Sequence, residues 1–93
     1  MNLTEFIKNL KGFEGLVNSL KDELRQKREI IEKDKITIVF NGLGEVIDIR
    51  CGEGAKFDEV KDTLMELINQ AQDISRDMMM EALKKRFGGI LGF

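Results

Sequence analysis

No histidine occurs among the 93 residues, and there is no tryptophan or tyrosine. The first absence removes His-dependent triads and imidazole metal sites. One cysteine, Cys51, cannot close an intramolecular disulfide or hold a thiolate zinc site alone. It suits a reducing cytosol and reads as a small, half-buried residue at a strand end. No run approaches the roughly 18 apolar residues of a membrane span. Glu5, Lys8 and Lys11 interrupt the start too early for a signal peptide. Gly52-Glu53-Gly54 lacks the third glycine of a phosphate cradle, because Phe57 stands in its place. These absences leave no catalytic residues, metal, cofactor, small-molecule substrate or membrane to expect.

What is present is a chain 42% hydrophobic and 34% charged, enough for one small domain spanning 1–93. Its core is modest, and oligomerisation is a usual remedy. Leu3, Phe6, Leu10, Phe13, Val17, Leu20, Leu24, Lys27 and Ile31 recur at spacings of three and four, broken only by Lys27. The stripe predicts a long helix within 1–33, its periodic part covering 3–32, capped by Asn2 or Thr4. Thirty helical residues reach about 45 Å, well beyond a compact domain about 25 Å across. The helix must project. Its seam of Leu3, Phe6, Leu10, Phe13, Val17, Leu20 and Leu24 needs core or dimer cover, most economically from a second copy. Gly12 and Gly15 read either as tolerated helix glycines, as a break, or as a point of close approach by another helix.

From Lys35 the period changes to two. Ile36, Ile38 and Phe40 share one face of a strand, Asn41-Gly42 signals a hairpin, and Glu45–Cys51 returns, its register ambiguous by one residue. The hairpin spans 35–51 and a second long helix spans 57–87. Acids open that helix and Lys84, Lys85 and Arg86 close it, an order that complements the helix dipole. Gly88-Gly89 is expected to stop it, leaving 88–93 as a flexible tail. The fold class is α+β: long helix, a hairpin or three-stranded sheet, long helix.

Formal charge is -2, from 15 Lys and Arg against 17 Asp and Glu, so overall basicity does not announce a nucleic-acid binder. The cations are nonetheless segregated. Lys21, Arg25, Lys27 and Arg28 crowd the second half of the first helix, and Lys84, Lys85 and Arg86 the end of the second. A local basic surface attracts phosphate despite an acidic total. The same charges also fit a solvated surface paired with Asp22, Glu29 and Glu32.

The run Ile36-Thr37-Ile38-Val39-Phe40-Asn41-Gly42-Leu43-Gly44-Glu45-Val46-Ile47-Asp48-Ile49 resembles the YbaB/EbfC family of bacterial nucleoid-associated DNA-binding proteins. Asn69-Gln70-Ala71 is similar to that family's Asn-x-Ala early in the last helix, and Met78 to Met80 with Gly88 to Phe93 is similar to its tail. Two departures stand out. The family's glycine-rich first strand falls on Glu29 to Asp34, which has no glycine, so that strand is expected to be shortened or absent. The loop before the last helix shrinks to Gly52–Lys56. The resemblance implies a tweezer-like, intertwined homodimer that binds double-stranded DNA in the cytoplasm, at the nucleoid, without an enzymatic role. The alternative is a helical homodimeric interaction module, its seam holding a partner helix, with no part for nucleic acid.

Overall fold

The first helix begins where Asn2 caps it: the Asn2 Oδ1 accepts from the Glu5 N–H at 2.8 Å, satisfying one of the donors a helix start leaves open. In the computed structural model, which describes residues 2–91, the order is α1 (Leu3–Gln26), β1 (Glu29–Lys33), β2 (Ile36–Phe40), β3 (Val46–Cys51) and α2 (Phe57–Leu91). The three strands form one antiparallel sheet in the order β1-β2-β3. The molecule measures 64 × 22 × 19 Å with a radius of gyration of 18.3 Å, against about 12 Å for a compact chain of this length. The helices do project from a small central body.

The apolar stripe overstates α1. The helix stops at Gln26, Lys27 is already extended with ψ 148°, and Glu29–Lys33 is a strand rather than a last helical turn. Ile31 fits both periods, four from Lys27 and directly opposite Ile38 in the sheet. The strand wins because all five residues pair with β2 through a two-residue turn. The first strand, expected to be shortened or absent, is therefore present. That turn, Asp34-Lys35, has φ of 50° and 69°. Two successive left-handed residues give the twist a tight hairpin needs, but without a glycine. Lys35→Gly should therefore raise stability by about 1 kcal/mol, read as a shift in the urea midpoint at constant slope; an unchanged midpoint would show the turn to be unstrained.

The second hairpin differs from its sequence signal. Asn41 and Gly42 do not have positive φ; only Gly44, at 79°, does so within that connection. On β3, Val46 pairs with Phe40 and Asp48 with Val39, so Ile47 is an extra, bulged residue. The bulge settles the ambiguous register. Val46 and Ile49, three apart, both come to the face carrying Phe40 and Ile38, while Ile47 stays exposed.

Ile36, Ile38 and Phe40 are fully buried against Leu67 and Ala71 of α2. The first half of α2 lies over β1 and β2, so only Val46 of β3 joins this core. Ile49 remains 43% exposed, and Cys51 is exposed rather than half-buried because the edge strand runs out from under the helix. A second core joins Leu20 and Leu24 to Phe87, with Leu43, Met78, Met79, Ala82 and Leu83 around them. Gly88 and Gly89 do not stop α2, which continues to Leu91; glycine in a helix costs only about 1 kcal/mol, and Phe87 ties this end to α1. Of the expected tail, residues 92–93 lie outside the described residues.

Candidate functional site

The Asn41–Glu45 connection is the joint that positions both helices. Asn41 is fully buried. Its Oδ1 accepts from the N–H groups of Leu43 (2.9 Å) and Glu45 (3.1 Å), and its Nδ2 donates to Glu45 Oε1 at 2.8 Å. Such side-chain bonding reinforces a backbone turn in which the Gly44 N–H donates to the Asn41 carbonyl at 3.0 Å. That carbonyl also accepts from the buried Ser75 hydroxyl at 2.9 Å, and Gln72 donates to the Gly44 carbonyl at 2.8 Å, fastening the connection to α2. The Gly42 N–H donates to the Leu24 carbonyl at 2.9 Å, fastening it to α1. The Asn41 amide, with Arg25 beside it, holds the Glu45 carboxyl below the usual carboxylate range. A depressed carboxyl contributes where it is ionised, so this contribution fades as pH falls through the folded-state value.

With the helices so fixed, Glu23 and Lys27 of the α1 end face Met78, Glu81, Ala82, Lys85 and Arg86 of α2 across a shallow groove of about 400 Å³. Three cations and two carboxylates line it. The Arg86 Nη2 reaches both Glu23 oxygens at 2.6 Å. Both side chains stay about half exposed, at 42% and 51%, so the pair itself adds little stability. Among the described residues Lys27 and Lys85 make no ion pair.

The cations singled out in the sequence therefore separate into four states. Lys27, just past the end of α1, converges with Lys85 and Arg86 of α2, more than fifty residues further along the chain. Arg25 is held by Asp22 at 3.1 Å and Glu45 at 3.4 Å. Arg28 folds back onto the carbonyls of Arg25 (2.7 Å) and Lys27 (3.0 Å), closing the end of α1. Lys21 and Lys84 are exposed and do not line the groove. The seam divides too. Leu20 and Leu24 are buried, Val17 is half-buried, and Leu3, Phe6, Leu10 and Phe13 are 44–73% exposed. Phe13 packs against the Phe87 ring, 5.5 Å between centroids. Among the described residues nothing lies within 4 Å of a Cβ placed on Gly12 or Gly15, so neither glycine is itself a point of close approach within the chain.

Sequence reading missed the groove's acids. Their signal was there: Glu23 precedes Lys27 by four residues and Glu81 precedes Lys85 by four, the spacing that puts both charges on one helix flank. Ser75 and Gln72 carried no comparable signal, because their partners are 34 and 28 residues away; Asn41 was legible only as a turn residue.

Two long helices carried by a three-stranded antiparallel sheet, with a cation-bearing groove between them, define a small α+β protein built as a body with an arm. Among the described residues no helix is long and apolar enough to cross a membrane. The chain is 33% identical over 85 residues to a nucleoid-associated protein of Mycoplasmopsis pulmonis, covering 91% of this chain and 85% of that one. It is 24% identical over 93 residues to a nucleoid-associated protein of a Sulfurihydrogenibium species, covering 94% of this chain and 84% of the relative. It belongs to the family of nucleoid-associated proteins. No family model matches the chain, and no solved structure matches it significantly.

Proposed function

We propose that this chain is a DNA-binding protein of the bacterial nucleoid, of the YbaB/EbfC type. It works in the cytoplasm as a homodimer and binds double-stranded DNA through its phosphates rather than by catalysis. The convergence of Lys27, Lys85 and Arg86 on one groove carries this reading. Lys and Arg held on a rigid helical arm meet phosphates and release counterions, and that contribution is blind to sequence. The chain's six aromatic residues are all Phe and no helix presents an obvious base-reading row, so sequence preference is weak.

Support for the dimer comes from surface left bare. Leu3, Phe6, Ile7, Leu10, Phe13 and Leu16 are each 43–73% exposed on α1, and Ile47 and Ile49 are 48% and 43% exposed on edge strand β3. Soluble monomers rarely expose apolar area of that extent. A second copy covering α1 and extending the sheet at its open edge accounts for both.

The same stripe favours the rival reading, a scaffold whose seam grips a partner helix. Light scattering with short duplex DNA at low and high salt separates the two. The expected result is a dimer alone, and a larger complex with DNA that dissolves as salt rises. A dimer that ignores DNA at low ionic strength would leave only the scaffold, and a monomer would count against both.

A further inference from the structure

The groove already holds an anion of its own. Arg86 presents one guanidinium nitrogen, Nη2, to both oxygens of Glu23 at 2.6 Å, a charge-assisted contact that a phosphodiester oxygen would otherwise receive. We propose that Glu23 is an internal occupant of the phosphate site, a carboxylate that the DNA backbone must displace before Arg86 can engage it. The inference rests on the DNA-binding reading and adds a regulating residue to it. The neighbouring geometry supports displacement. The pair is half-exposed, with side-chain accessibilities of 42% and 51%, so breaking it demands no burial of an unpaired charge. Among the described residues Lys27 and Lys85 line the same groove without ion-pair partners, so an arriving phosphate meets these two cations first. Glu81 lines the groove as a second carboxylate and, among the described residues, holds no cation within ion-pair distance. Arg86 is thus a latent contact, and Glu23 sets how strongly the groove discriminates a dense polyanion from isolated anions.

Fluorescence anisotropy of a labelled 20-base-pair duplex, with wild type, Glu23→Gln, Arg86→Gln and the double variant across salt, tests this. Glu23→Gln keeps the size and removes the charge. It should tighten binding about two- to fivefold, as expected when DNA no longer has to break one half-exposed ion pair to reach Arg86. The salt slope should steepen by about one for each groove engaged. In the Arg86→Gln background the gain should vanish. If wild type binds and Glu23→Gln does not improve it, Glu23 is no occupant, while the DNA reading stands. A gain that persists without Arg86 also overturns the proposal, since it reports only general repulsion. If neither wild type nor Glu23→Gln binds at low salt, both readings fall together. Binding by Glu23→Gln alone would establish the masking outright.

Discussion

Gly42→Ala should cost about 3 kcal/mol of stability and lower the melting temperature by roughly 12–24 °C. A Cβ at this position would lie 2.8 Å from the Leu24 carbonyl oxygen, 2.9 Å from Leu24 Cβ and 2.9 Å from Leu24 Cδ2. The first of these is backbone and cannot swing aside. Relief requires α1 to retreat from the connection, which breaks the 2.9 Å hydrogen bond from Gly42 N–H to that carbonyl. It also loosens Leu24, which is 1% exposed against Leu20 and Phe87. The two effects act together because one residue supplies both the cap and the packing. Gly12→Ala is the matching control. It has open space around it, sits in the exposed part of α1, and should gain about 1 kcal/mol from helix propensity. Urea unfolding followed by circular dichroism reads both. A Gly42→Ala loss under 0.5 kcal/mol, as an order of magnitude, would mean the joint is soft.

That contrast shows what the sequence made legible. Both glycines are plain in the chain, but only the fold distinguishes the one pressed against a carbonyl from the one facing solvent. The elements whose period is written locally were readable: the alternation of Ile36, Ile38 and Phe40, and the stripe through Leu24. Reading failed where two periods overlapped. Lys27 and Ile31 continue a helical spacing, yet residues 29–33 gain a full ladder with β2 by becoming a strand, and no glycine or proline marks the change. At the other end Gly88-Gly89 looked like a stop, and a weak intrinsic preference was overridden once Phe87 had packed against Leu20 and Leu24. The site followed the same logic. Clustering along the chain placed Lys21, Arg25, Lys27 and Arg28 together. Three-dimensional placement separates them, because Arg25 finds Glu45 twenty residues away and Arg86 finds Glu23 sixty-three away.

Neutralising Lys27 and Lys85 together should weaken duplex binding about 100-fold at 0.1 M salt, whatever the DNA sequence. Each phosphate contact contributes a slope of about 0.9 in log affinity against log salt, so two lost contacts remove close to two decades at that concentration. Lys27→Gln/Lys85→Gln is the substitution to use, since both side chains are exposed and neither makes an ion pair among the described residues. The slope itself should flatten by about 1.8 for each groove engaged. Arg25→Gln/Arg28→Gln removes the same charge from the chain and serves as the comparison. Arg25 is occupied by Asp22 and Glu45, and Arg28 by two helix-end carbonyls. Their guanidiniums would have to break those bonds to reach a phosphate, so that pair should cost well under tenfold. Equal losses from the two double variants would show that DNA senses only the charge total of the arm. A larger loss from the arginines would move the interface to the flank of α1 that carries Lys21. The predicted order, lysines first, is what a built groove imposes on charges that look interchangeable in one dimension.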